Sequence, residues 1–232
     1  MNFKEGVLIP IDKPYGLTSF KALAHIRYLC TQANGSKVKM GHAGTLDPLA
    51  TGVLILVTGK MTKQIETLQT HTKEYTATLQ LGATTDSYDM EHEVNATYPT
   101  EHITRERLEE AINQFIGDID QVPPTYSAVK VNGERAFNYR RNGEDVKLKP
   151  KHIHIDDIEL TDFDPEKMRA SIRVVCGKGT YIRALARDIG RTLDSGAYLT
   201  ALRRTRVGDI RVEDCINYDH FEEWLNKQKF LE

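Results

Sequence analysis

Five consecutive apolar residues, Val53-Leu54-Ile55-Leu56-Val57, form the longest purely apolar run in this chain of 232 residues. A run of that length reads as one fully apolar strand, and it is far short of the roughly 20 residues that span a bilayer. A membrane protein is therefore not expected. Residues 75–81 alternate strictly between apolar and polar, as a strand with one buried face does. Further strands are predicted over residues 7–11, 126–131, 153–163 and 168–175. Ser19 is the predicted cap of a helix with Phe20, Leu23, Ala24 and Arg27 on one side. Thr104 opens a second helix, with Leu108, Ala111, Ile112 and Phe115 inward and Gly117 as its stop, and residues 180–193 give a third. Strands and helices follow one another irregularly, without the alternation of a doubly wound parallel sheet. The expected class is α+β, with a mixed, mostly antiparallel central sheet, flanking helices and loop-rich insertions near 86–98 and 118–151. No repeat or linker divides the chain, so residues 1–232 are expected to be a single catalytic domain.

A hydrophobic content of 40% excludes a disordered chain. The formal charge of -2 argues at first against a nucleic-acid partner, until it is resolved along the sequence. Asp86, Asp89, Glu91, Glu93, Glu101, Glu106, Glu109 and Glu110 face only Arg105 and Arg107. Lys178, Arg183, Arg187, Arg191, Arg203, Arg204, Arg206 and Arg211 face only Asp188, Asp194 and Asp209. Such segregation permits a positive face on a weakly acidic protein. Cys30, Cys176 and Cys215 are too far apart for a metal or disulfide framework and read as reduced, packed thiols. The N-terminus has no basic signal-peptide flank, so a cytoplasmic location is expected.

The least ordinary segment is Gly41-His42-Ala43-Gly44-Thr45-Leu46-Asp47-Pro48-Leu49-Ala50-Thr51-Gly52. Its glycines allow tight turns or close approach of a ligand to the backbone. His42 and Asp47 are its only ionisable side chains. A carboxylate between Leu46 and Leu49 is partly desolvated, which suits a nucleophile or general base. Asp followed by Pro is equally a helix start or turn, although Gly52 leaves little helix to cap. His42 taken alone reads as a hydrogen-bonded loop residue, Tyr75 as a core or interface aromatic, and Arg183 as a solvated charge.

This segment closely resembles the signature of the TruB family of tRNA pseudouridine-55 synthases. The resemblance continues in order through Asp12-Lys13-Pro14-Tyr15-Gly16-Leu17-Thr18-Ser19, Lys73-Glu74-Tyr75, Leu81-Gly82-Ala83-Thr84-Thr85-Asp86, Pro123-Pro124-Thr125-Tyr126-Ser127-Ala128-Val129-Lys130, Gly177-Lys178-Gly179-Thr180-Tyr181-Ile182-Arg183 and Leu202-Arg203-Arg204. It implies the pseudouridine synthase fold and an isomerase that breaks the N1–C1′ bond of uridine 55 in the T-loop of tRNA and rejoins the ring through C5. By the resemblance Asp47 is the catalytic aspartate, Tyr75 the tyrosine stacked on the flipped base, and Arg183 the partner of the catalytic carboxylate. Tyr181 and Leu202 line the pocket, Lys13, Lys130, Arg203 and Arg204 are phosphate or pocket-edge contacts, and His42 stacks against RNA. Phe137 stands where the family often has tyrosine. The chain ends at Glu232 soon after an amphipathic stretch with Phe221, Trp224, Leu225 and Phe230, and no separate C-terminal RNA-binding domain is expected.

No phosphate-cradling glycine loop and no metal-ligand cluster is visible, so no cofactor and no metal are expected. The expected partner is tRNA through its T-arm stem-loop, with no membrane, no guide RNA and no obligate protein partner. The rival classes are a non-catalytic tRNA-binding or folding module on the same scaffold, and a guide-RNA-dependent synthase subunit.

Overall fold

The computed structural model describes residues 1–127, 129–131, 133–136, 139 and 148–229. In chain order the strands are β1 (Leu8–Lys13), β2 (Met40–His42), β3 (Thr51–Thr58), β4 (Lys73–Leu81), β5 (Ala83–Thr85), β6 (Val94–Thr97) and β7 (Gly117–Gln121). They continue with β8 (Lys130–Val131), β9 (Glu134–Arg135), β10 (Lys151–Asp164), β11 (Arg169–Cys176), β12 (Ala197–Val207), β13 (Ile210–Arg211) and β14 (Ile216–Asn217). The α-helices are α1 (Ser19–Asn34), α2 (Ile65–Leu68), α3 (Arg105–Asn113), α4 (Ile182–Thr192) and α5 (Phe221–Asn226). Two compact units result, one of Met1–Tyr75 with Leu202–Glu232, the other of Thr76–Ala201. The chain leaves the first within β4 and re-enters it within β12.

In the first unit the strand order is β14-β1-β3-β12, with β2 also on β3. β1 runs antiparallel to β3, while β14 on β1 and β12 on β3 are parallel. The apolar run of β3 needs cover on both faces, and it has it. Leu54 and Leu56 pack with Ile9 and Ile11 of β1, Ala22, Leu23, Ile26 and Cys30 of α1, and Phe221 and Leu225 of α5. Val53, Ile55 and Val57 point the other way, onto Ala43 and Val207. Each such fully buried aliphatic side chain contributes about 1.5–3 kcal/mol through loss of contact with water, so β3 anchors the unit.

The second unit carries the order β4-β11-β10-β7. β10 and β11 are a long antiparallel pair whose register runs from Ile155↔Cys176 to Asp164↔Arg169, and β7 is antiparallel to β10. β5/β6 and β8/β9 are separate antiparallel hairpins. Mixed pairing, mostly antiparallel, with flanking helices is the α+β architecture expected from the irregular order of elements.

Three local expectations change. Thr18, not Ser19, caps α1: its side chain accepts from the Lys21 N–H. The helix from Thr104 ends at Asn113 with Gln114 as its C-cap, so Gly117 does not stop it; at φ +101° Gly117 opens β7 instead. Of the strand predicted over 126–131, Lys130–Val131 are the described residues that pair, antiparallel to Glu134–Arg135 in a short hairpin. Phe137 lies outside the described residues. No helix among the described residues is long and apolar enough to cross a membrane.

Candidate active site

Asp47 stands in the first unit, in the link between β2 and β3. The Ala50 N–H donates to its carbonyl at 3.1 Å, closing a turn with Pro48 in second position. No helix starts at Pro48, so of the two alternatives the helix cap falls and the turn holds; the Asp47 side chain is half-buried between buried Leu46 and partly exposed Leu49.

The bend is braced from β1. Alternation along β1 puts Ile9, Ile11 and Lys13 inward, so Lys13 has 0% exposure. Its ammonium donates to the carbonyls of Pro14 at 2.8 Å, Leu17 at 2.7 Å and Pro48 at 3.3 Å, joining the residues after β1 to the residue after Asp47. Burial pushes its pKa down from the usual 10.5 to about 8; Asp47 pulls it up and Arg204 presses it further down. Ser19 adds a second brace: its hydroxyl accepts from the Leu46 N–H at 2.8 Å and donates to the Leu46 carbonyl at 2.9 Å. The Gly16 N–H donates to the Pro48 carbonyl at 2.9 Å.

The other side of the bend rests on β12, where Arg203 and Arg204 align with Thr51 and Gly52. Gly52 has φ +102°, and a Cβ there would lie 2.1 Å from the Arg204 carbonyl oxygen, so only glycine fits. Arg204, 2% exposed, donates to the carbonyls of Val53 at 2.7 Å and Gly44 at 3.1 Å. Arg203 forms a two-pronged pair with Asp12 at 2.7 and 3.1 Å and donates to the Thr51 hydroxyl at 3.3 Å. Leu202 is partly buried beside them, and Tyr75 is a buried residue at the start of β4.

His42 is the last residue of β2 rather than a loop residue. Its Nδ1 is buried with no hydrogen-bond partner among the described residues, which corrects the hydrogen-bonded reading. Burial first, then the Arg204 guanidinium, lowers its pKa and holds the ring neutral at pH 7. A neutral imidazole presents a face to stack on, not a cation.

Lys13 and Arg204 require a larger correction. Both were expected to meet phosphate or the pocket edge, or else, by residue type alone, to be surface charges; buried and bonded to backbone carbonyls, they are not surface charges, and they brace the Asp47 bend. The inward phase of β1 carried that signal for Lys13. Ser19 was missed because a hydroxyl before a helix looks like a cap, and Thr18 already fills that role.

The second unit holds the remaining expected residues. Tyr181 stands immediately before α4, and its N–H donates to the Gln121 side chain at 2.9 Å. Arg183, expected from its residue type to be solvated, is buried; it donates to the Ser87 carbonyl at 3.1 Å and the Tyr126 carbonyl at 2.9 Å, with Asp89 at 3.7 Å. Lys130 stands in β8, and its side chain lies outside the described residues. Among those described, no three His, Cys, Asp or Glu side chains gather to hold a metal.

The family description "TruB family pseudouridylate synthase (N terminal domain)" matches residues 31–182. The chain belongs to the TruB family. The description "tRNA pseudouridylate synthase B C-terminal domain" matches residues 183–232. Relatives named tRNA pseudouridine synthase B include that of Bacteroides thetaiotaomicron, 60% identical over 99% of this chain and 97% of its own length. That of Flavobacterium johnsoniae is 47% identical over 96% and 97%. Among solved structures, a chain of a Cbf5-Nop10-Gar1 complex superposes with a TM-score of 0.70 at 29% identity, covering 96% of this chain and 56% of that one. A chain of an H/ACA RNP bound to a substrate RNA containing 2′-deoxyuridine gives 0.67 at 26%, covering 97% and 55%. This TruB chain thus spans little more than half of each of those two. Membership makes it a tRNA pseudouridine synthase, an isomerase.

Proposed function

We propose that this TruB chain converts uridine 55 in the T-loop of free tRNA to pseudouridine, with the Asp47 carboxylate acting directly on the extruded nucleoside. The observation that carries this is the Asp47 turn itself: a half-buried carboxylate at a bend that Lys13, Ser19, Gly52 and Arg204 fix from both sides. Preorganisation of that kind places a reacting group without loss of motional freedom during the reaction. The chemistry balances within the substrate: the N1–C1′ bond breaks, C5–C1′ forms, the C5 proton leaves and N1 gains one. No co-substrate or cofactor is required. Attack on C1′, addition to the base and removal of a ribose proton all demand a carboxylate in that place.

Neutral His42 serves to stack in the RNA rather than to move protons, and Tyr75 serves as the aromatic face for the target base. Leu202 keeps the pocket-lining role that the family resemblance gives it, while Arg203, held two-pronged by Asp12, steadies the strand beside the bend. The proposed substrate is the T-arm stem-loop, recognised in the cytoplasm with no guide RNA and no obligate protein partner.

Incubation of unmodified tRNA transcript with the chain, followed by mapping of pseudouridine, tests this. Conversion at position 55 by the chain alone is expected. Asp47→Asn is expected to abolish conversion and tritium release from C5-labelled uridine, with tRNA affinity kept within about tenfold. An active Asp47→Asn enzyme overturns the assignment.

A further inference from the structure

Among the described residues, the three most exposed large apolar side chains are Phe20 at 66%, Tyr15 at 60% and Tyr28 at 60%. Single exposed apolar residues are ordinary on a protein surface, but these three fall within one stretch of 14 residues and have no hydrogen-bond or ring partner among the described residues. Phe20, Ala24 and Tyr28 are spaced four apart along α1 and share one face. Phe20 and Tyr28 are separated by on the order of 12 Å along the axis, against about 3.4 Å between stacked bases, so each ring takes a base independently.

The charge of the same stretch is one-sided. From residue 13 to residue 46 the chain carries Lys13, Lys21, Arg27, Lys37 and Lys39 and no Asp or Glu, in a protein of formal charge -2. Lys13 is buried, but Lys21, Lys37 and Lys39 are exposed and Arg27 partly so. Exposed aromatics interleaved with cations are how proteins hold unpaired nucleotides: the rings stack on bases and the cations follow the backbone.

The stretch is also fastened to the catalytic bend. Ser19, next to Phe20, bonds both backbone groups of Leu46, and Gly16, next to Tyr15, bonds Pro48. Asp47 lies between those two attachment points, so whatever docks on Tyr15 and Phe20 is held in register with it.

We propose that the loop before α1 and the outward face of α1, through Tyr15, Phe20 and Tyr28 with Lys21, form a docking surface for unpaired nucleotides of the same tRNA that delivers its uridine to Asp47. This rests on the function proposed above and adds substrate-positioning residues to it. The absence of any carboxylate over 34 residues favours a polyanion over a protein partner, for which alternating charges would serve as well.

The test is the triple variant Tyr15→Ser, Phe20→Ser, Tyr28→Ser in the full chain, beside Phe20→Trp, which keeps a stacking face. Anisotropy of labelled, unmodified tRNA gives Kd, and steady-state pseudouridine formation separates kcat from KM. Loss of one stacked base weakens binding about 5- to 150-fold. The triple variant is expected to raise Kd and KM at least about tenfold with kcat within about twofold and an unchanged melting temperature, and Phe20→Trp is expected to bind like the unaltered chain. Unchanged Kd and KM in a folded triple variant overturn the proposal, as does a fall in kcat alone. Self-association of the unaltered chain that the triple variant loses, with Kd for tRNA unchanged, gives the face to a second copy and overturns it too. Pseudouridine yield of the unaltered chain reports separately on the catalytic reading, so the two fail on different measurements.

Discussion

An ammonium with no exposed surface is held only because its protons are all engaged, and Lys13 meets that condition with three carbonyls. Its pKa of about 8 makes the consequence measurable. Below that pH the side chain is charged in both folded and unfolded chains. Between about 8 and 10.5 the folded chain has lost the proton and the unfolded chain still holds it, so this residue's contribution to stability rises with pH across that window. Activity is expected to move the other way: a neutral amine removes the cation beside Asp47 and leaves too few N–H donors for the carbonyls. The kcat/KM profile should show an alkaline limb with an apparent pKa near 8, absent from Lys13→Met, whose rate is lower throughout. A profile flat from pH 7 to 9 contradicts this. At Gly52 and Gly44 the structure ranks two substitutions. Gly52→Ala drives a Cβ to 2.1 Å from a backbone oxygen at φ +102°, whereas at Gly44 the same atom comes no nearer than 3.6 Å to a side-chain nitrogen at φ +94°. Urea denaturation is expected to show Gly44→Ala losing about 1–2 kcal/mol and Gly52→Ala losing more than about 3. The reverse order contradicts the contact with Arg204.

At the scale of elements, α1 and the Asp47 bend are one construction, and Ser19 is the residue that makes them so. Ser19→Ala leaves the Leu46 N–H and carbonyl without their partner, a loss of about 1–3 kcal/mol, and frees the backbone beside the catalytic residue. Its kcat is expected to fall while KM for tRNA changes little. Thr18→Ala, which removes only the cap on α1, costs about 1 kcal/mol and leaves kcat unchanged. Thermal melts with steady-state kinetics distinguish the two, and equal kcat in both variants removes the brace from the mechanism. These elements were unequally legible in the sequence. β3 was plain because five apolar residues in succession need cover on both faces, and β4 because period two was unbroken. Asp47 was legible as a residue but ambiguous as a role, since Asp-Pro serves turns and helix starts alike; the structure drops the helix start and keeps the turn, so the catalytic role rests on the family resemblance and on the bracing of the bend. The surface-charge reading of Lys13 and Arg204 failed because residue type outweighed phase. A lysine suggests water, yet β1 turns it inward after Ile9 and Ile11. The partners of Arg183, two carbonyls about 60 and 100 positions away in sequence, follow no local pattern at all.

Across the whole molecule, the question is how a chain of formal charge -2 holds a polyanion. The arginine-rich stretch from 178 to 211 is the obvious source by composition, but burial and pairing take most of it out of play. Arg183, Arg187 and Arg204 are buried, Arg187 is paired with Asp188, and Arg203 with Asp12. Lys178, Arg191 and Arg211 remain exposed, and Arg191 has Asp188 at 3.9 Å. Over 13–46, by contrast, Lys21, Lys37 and Lys39 are exposed with no acid in the segment. Each phosphate contact releases counterions and adds about -0.7 to -0.9 to the slope of log K against log salt. Binding of tRNA is therefore expected to weaken steeply with salt, and Lys21→Ser, Lys37→Ser, Lys39→Ser together should flatten the slope by about 2. Lys178→Ser with Arg211→Ser should flatten it less. Measuring Kd for unmodified tRNA between 50 and 300 mM KCl in the Asp47→Asn background keeps turnover out of the readout. A slope that the triple lysine variant leaves unchanged would show that the phosphates are met elsewhere, and that the acid-free segment owes its charge to solubility rather than to RNA.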